Sequence, residues 1–165
     1  LVQEYGKYFN LSTVCFRGGC LTGENHSGIK LHGFLSFLVK TIMSKKEYNI
    51  IGYKGKQVRD NIHSYDVVTA FDCFIKKPKR GANVYNLGGG RDNSCSIIEA
   101  IKKIENISNI KCKYKILKKN RIGDHIWWIS DNSKFKKDFP NWSIKKSLEK
   151  SIESMVEFEI TQPKK

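Results

Sequence analysis

The chain has 165 residues, 39% of them apolar, with 13 glycines, which is enough for one domain with its own core and too apolar for a disordered polymer. Its 30 basic residues against 16 acidic ones give a net charge of +14, spread along the chain rather than gathered into a tail, which reads as a lysine-rich solvated surface with no specific nucleic-acid partner. No run of about 18 apolar residues argues for a membrane span, and an odd set of five cysteines with no CxxC argues against a disulfide scaffold or a zinc site and for free thiols in a reducing, cytoplasmic setting.

Residues 1–10 read as the tail of a helix, with Val2, Tyr5 and Phe9 on one face and Asn10 as a left-handed cap. Residues 13–16 form a short apolar strand without alternation, of the kind buried on both faces of a parallel sheet. A glycine-bearing loop follows at 17–23. Residues 29–43 are amphipathic at helical spacing, through Leu31, Phe34, Leu35, Leu38 and Ile42. Residues 48–51 read as a strand, and 52–57 as a turn or hairpin with glycines at its corners.

A second helix is expected over 65–75 with Ser64 as N-cap, and another buried strand at 83–87. Ser96 and Glu99 have capping-box spacing, so a helix should run from there to about 107. Residues 111–117 alternate Lys with Cys, Tyr and Ile, a half-exposed strand. A short helix over 132–138 stops at Pro140, and Ser143 is expected to cap a last helix ending near 158. The strands at 13–16 and 83–87 are too few to make a sheet by themselves. With no Met before Met43, the expectation is that the remaining strands lie upstream of Leu1.

Among 30 basic residues only five are Arg, at positions 17, 59, 80, 91 and 121. Arg offers a planar fork matched to carboxylate or phosphate oxygens, whereas Lys is a flexible point charge. Arg59, in Val58-Arg59-Asp60-Asn61, and Arg121, in Arg121-Ile122-Gly123-Asp124, are either diphosphate clamps or salt-bridged surface arginines. Gly88-Gly89-Gly90-Arg91 follows a strand and precedes a helix, but Asn93 stands where the dinucleotide fingerprint G-x-G-x-x-G needs its third glycine, so it reads as a turn. His63 reads as a structural histidine, His26 carries no assigned chemistry, and Trp127 and Trp128 read as core or lid. Phe34 and Phe37 read as core.

Six blocks in order carry a resemblance over nearly the whole chain: VQEYGKYF at 2–9, FRGGCLTGENHSG at 16–28, LHGFLSFLVK at 31–40, GYKGKQVRDNIHS at 52–64, YNLGGGRDNSCSIIEAI at 85–101 and NRIGDHIWWISDNSKF at 120–135. Together they resemble the C-terminal half of the extended short-chain dehydrogenase/reductase family of nucleotide-sugar epimerases and dehydratases, nearest to its CDP-tyvelose (CDP-paratose) 2-epimerase branch. The resemblance implies an α/β fold: the last strands of a Rossmann-type parallel sheet (residues 1–28 and 62–90), a smaller α/β substrate-binding lobe (29–61 and 91–160) and a frayed tail (161–165).

It also implies NAD as cofactor, a nucleotide-diphosphate sugar as substrate with a CDP-linked hexose favoured, chemistry at sugar C2, and a homo-oligomer. By resemblance, Gly18, Gly19 and Cys20 line the nicotinamide and sugar end of the cleft, and Leu31 sits near the phosphates. Asn49 to Ile51 edge the nucleobase, Arg59 and Arg121 grip the diphosphate, and Asp124 orients Arg121. Glu24 stands where relatives carry Pro. The family's catalytic Tyr-x-x-x-Lys is not found in a matching context, so the covered residues are expected to bind substrate without turning it over. A dehydratase or decarboxylase of the same family, or a non-catalytic basic binding module, remain open as alternatives.

Overall fold

The computed structural model describes residues 1–26, 28–29, 33–118, 120 and 122–162. Leu31, Arg121 and most of the 161–165 tail therefore lie outside the described residues. Helix α1 (Val2–Phe9) ends at Asn10 with φ 51° and ψ 29°, the left-handed cap read from the sequence. Strand β1 (Thr13–Gly18) follows and pairs in parallel with β5 (Ala82–Leu87), from Thr13 opposite Ala82 to Gly18 opposite Leu87. The expected parallel pairing is present, but Thr13 to Phe16 are only half-buried, because this sheet has two strands and each keeps an open edge.

The 17–23 stretch is not all loop. Residues Cys20–Thr22 form β2, which pairs in parallel with β4 (Val58–His63). Strand β4 is the hub of the second sheet: it also pairs antiparallel with β6 (Ser94–Ser96) and parallel with β8 (Trp127–Trp128). Helix α2 (Phe34–Met43) starts five residues later than its apolar spacing predicts, behind Gly33 in a left-handed conformation (φ 67°). Strand β3 (Glu47–Ile51) pairs in parallel with β7 (Lys113–Leu117), so the 3-10 turn Tyr53–Gly55 leads to a different sheet and closes no hairpin.

Helix α3 (Ser64–Lys76) is capped by His63 rather than Ser64; the His63 Nδ1 accepts the Tyr65 N–H at 3.1 Å, the task an Asp or Ser oxygen usually performs. Helix α4 (Ile97–Ser108) carries the full capping box between Ser96 and Glu99. After α5 (Ser133–Asp138), the last helix α6 (Leu148–Thr161) starts behind Ser147, not Ser143. The buried Asp66 carboxylate explains the delay: it accepts the N–H of Lys145 at 2.8 Å and of Lys146 at 3.1 Å, which ties 145–146 to α3.

Two apolar cores result. One gathers α2, β3, α4 and α6 around Leu38, Ile50, Ala100, Ile104 and Ile152, each fully buried. The other joins Ile62, Ala70, Tyr85 and Leu87 to Phe135, Phe139 and Trp142, with the Phe135 ring meeting Tyr85 and Trp142 edge-on at 5.1 Å. Burying one such side chain contributes about 1.5–3 kcal/mol. Phe135 to Trp142 thus pack with the β1–β5 sheet, although the sequence assigned 91–160 to the other lobe. Trp127 and Trp128 belong to neither core; they are 64% and 44% exposed. All five cysteines are free thiols, and among the described residues no helix is long and apolar enough to cross a membrane.

Candidate functional site

A cavity of ≈ 620 Å³ opens beside the first of these cores, whose Phe34, Phe37, Tyr48 and Ile97 line it. Its walls are the start of β2 (Gly19, Cys20, Leu21), the start of α2 (Gly33, Phe34, Phe37), one face of β3, and Gln57, Arg59 and Asp124. The pairing of β2 with β4 brings Cys20 beside Asn61, two residues from Arg59, although 39 residues separate Cys20 from Arg59 in sequence. Phe34 and Phe37, expected in the core, line this cavity and pack against the α2 core together.

Arg59 is the one arginine among the described residues that lines the cavity. Its Nη2 donates to Asp124 Oδ1 at 2.5 Å and its Nη1 to the Val58 carbonyl at 2.7 Å, with the two side chains 15% and 16% exposed. A guanidinium has five N–H donors, so the pairing orients the fork and leaves the rest of its donors for a ligand. Asp124 is held in turn: the Tyr53 hydroxyl donates to its carbonyl at 3.4 Å. The sequence links Asp124 to Arg121; the structure pairs it with Arg59.

Behind the β2 edge lies the fully buried Asp60. Its Oδ2 accepts the N–H of Ser130 at 3.0 Å and of Gly90 at 3.2 Å, tying three chain segments together. Gly19 packs on it so closely that a Cβ there would come within 2.8 Å of Asp60 Oδ1, so its glycine is required by packing as well as by any ligand. Gly18 ends β1 and does not line the cavity. Burial, with the Asp60 charge added, pushes the Cys20 thiol up to about 11, so it is a neutral wall and no nucleophile.

Of the residues singled out by sequence, Gly19, Cys20, Asn49, Ile51, Arg59 and Asp124 meet at one cavity. Sequence reasoning missed Asp60, Glu47 and Gln57. Gln57 donates from Nε2 to the Ile51 carbonyl at 2.8 Å and so fixes the end of β3 beside Arg59; nothing in its local sequence points to that contact. His63 is satisfied at both nitrogens: Nδ1 is an acceptor, so Nε2 carries the proton and donates to Glu24 Oε2 at 2.9 Å. Only Tyr114 precedes a lysine by four, with Tyr114 in β7 and Lys118 just past its end. Four residues of strand span about 13 Å against about 6 Å in a helix, so that pair cannot converge on one reacting atom. Among the described residues no group of His, Cys, Asp and Glu is arranged to hold a metal.

Residues 1–88 match the model of the NAD dependent epimerase/dehydratase family. The chain is 29% identical over 160 residues to a CDP-paratose 2-epimerase of Salmonella typhi, covering 94% of this chain and 47% of that protein. It is 33% identical over 108 residues to a dTDP-D-glucose 4,6-dehydratase of Dictyostelium discoideum, covering 66% of this chain and 23% of that one. The solved structure of UDP-glucose 4-epimerase from Bifidobacterium longum in complex with NAD+ and UDP superposes with a TM-score of 0.78 at 25% identity, over 93% of this chain and 49% of that chain. The chain thus spans half or less of the length of these relatives.

Proposed function

Because the chain belongs to the NAD dependent epimerase/dehydratase family, we propose that its residues form the nucleotide-sugar-binding half of an epimerase of the CDP-paratose (CDP-tyvelose) type, acting at sugar C2. The observation that carries this reading is the Arg59–Asp124 pair in the wall of the cavity. Asp124 holds one arm of the guanidinium, and the remaining N–H groups present a fork to a diphosphate. Asn49 and Ile51 line the same cavity and edge the base, and by resemblance alone Arg121 and Leu31 join the proposed binding set.

Bound NAD would supply the hydride acceptance and return that epimerisation at the sugar carbon requires. Of this chain's residues, Gly19 and Cys20 would edge that group: they offer a neutral wall with no charge and no thiolate, which fits an aromatic ring held flat. Gly18 packs against Leu21 and stays part of the proposal through the loop alone. The division into a Rossmann-type part and a substrate lobe follows the two cores, with 135–142 moved to the former. Homo-oligomerisation and a reducing, cytoplasmic setting complete the reading. No Tyr-x-x-x-Lys pair in these residues is placed to move the substrate's proton, so the 165 residues bind and do not turn over. The 33% identity to a dTDP-D-glucose 4,6-dehydratase supports a second reading, in which the same cavity serves a dehydratase.

Calorimetric titration of the chain with CDP tests the clamp. Arg59→Lys keeps the charge and removes the planar fork, so CDP affinity should fall about tenfold while attraction to an unrelated oligonucleotide stays the same. Equal loss for both ligands, or none for CDP, rejects the clamp.

A further inference from the structure

Glu47, Asn49 and Ile51 on one face of β3 line the cavity, while Ile50 on the other face is buried in the core and Tyr48, also buried there, reaches the cavity wall. Ile51 stands beside the clamp, because Gln57 holds its carbonyl two residues before Arg59. Glu47 lies four residues back along the strand, about 13 Å from Ile51, which leaves room for a ribose and a base between clamp and carboxylate. Phe37 flanks this end, its ring 5.9 Å from that of Tyr48, and supplies a flat apolar wall. Glu47 is exposed and makes no ion pair among the described residues, even though Lys113 stands opposite it in register on β7.

An ionised carboxylate only accepts hydrogen bonds. Cytosine carries an exocyclic amine, a donor, at the position where uracil carries a carbonyl oxygen, whose lone pairs a carboxylate repels. We propose that Glu47 is the base-reading residue of this cavity, accepting a hydrogen bond from the exocyclic amine of cytosine and disfavouring uracil. The inference rests on the clamp reading given above and adds to it the side chain that selects the nucleotide.

Titration of the chain and its Glu47→Ala and Glu47→Gln variants with CDP and UDP tests it, the two nucleotides differing only in the base. The unaltered chain should bind CDP about tenfold more tightly than UDP, the scale of one hydrogen bond to a charged group. Glu47→Ala should bring CDP down to the UDP level without weakening UDP, and Glu47→Gln, whose amide also donates, should let UDP gain. If both nucleotides bind in an Arg59-dependent way with the same CDP-to-UDP ratio in the unaltered chain and in Glu47→Ala, the Glu47 assignment is overturned and the clamp stands. If neither nucleotide binds, both fall. Equal thermal midpoints of the three proteins, expected for a change at an exposed strand end, make the comparison one of binding alone.

Discussion

Two thiols report how tightly the β2–β4–β6 region is closed. Burial above all pushes Cys20 up to about 11 and Cys95 up to about 12, with Asp60 adding its charge at the first and Glu99 at the second. At pH 8 a thiol titrating at about 11 is about 0.1% thiolate, and the thiolate is the species that alkylates. Iodoacetamide should therefore modify both cysteines at least about a hundredfold more slowly in the folded chain than in urea, read by peptide mass spectrometry. Equal rates at Cys20 would mean that the cavity wall is open and the proposed edge for an aromatic ring is absent. Arg59 shows what was legible at this scale: its rarity in a lysine-rich chain singled it out. Its partner was not legible, because 65 residues separate it from Asp124 and only the β4–β8 pairing brings them together. Asp60 was invisible for the same reason, since its donors come from Gly90 and Ser130.

At the scale of elements, the readings that held are those in which a local rule decides the structure. The Ser96–Glu99 capping box is one: Ser96 Oγ accepts the Glu99 N–H at 3.2 Å, and Glu99 Oε2 accepts the Ser96 N–H at 2.8 Å. Ser96→Ala should destabilise the chain by about 1 kcal/mol in urea unfolding. The Ser96 hydrogen bonds, backbone first, hold the Glu99 carboxyl below its ordinary value. A depressed carboxyl contributes stability that is fully present above its unfolded pKa and is lost as pH falls through the folded one. Glu99→Gln should therefore flatten the acid limb of the stability curve below about pH 4.5 and leave its slope near neutrality unchanged; an unaltered acid limb would remove Glu99 from the account. Of the strands that escaped the sequence, β2, β6 and β8 have only two or three residues, and the six-residue β4 carries Asp60, Asn61 and His63 on buried positions. Asn61, in the middle of β4, is buried with its Nδ2 donating to the Arg59 carbonyl at 3.2 Å and to the Asn93 carbonyl at 3.3 Å, the second partner 32 residues away. Alternation cannot signal a strand whose inward residues, Asp60 and Asn61, are polar and bonded to distant segments. The same holds for the start of α6, which Asp66 delays from about 80 residues away in sequence.

For the whole molecule, the charge of +14 and the cavity make different demands on anions, and salt separates them. A polyanion is drawn to the lysine surface by release of its condensed counterions, so its affinity falls linearly in log–log with salt, with a slope near the number of phosphates neutralised. A nucleoside diphosphate has few charges to neutralise and gains from directed donors, so its dependence is shallow. A 20-nucleotide DNA strand should lose affinity by orders of magnitude between 50 and 200 mM salt on the scale of about five or more contacts, while CDP loses no more than about tenfold over the same range. Fluorescence titration at four salt concentrations gives both slopes. Parallel slopes would assign CDP to the lysine surface, leave the cavity without a ligand, and favour a basic binding module. A shallow CDP slope that steepens in Arg59→Lys, where a hydrated point charge replaces the fork, would tie the affinity to the one arginine among the described residues that the fold closes into the cavity wall.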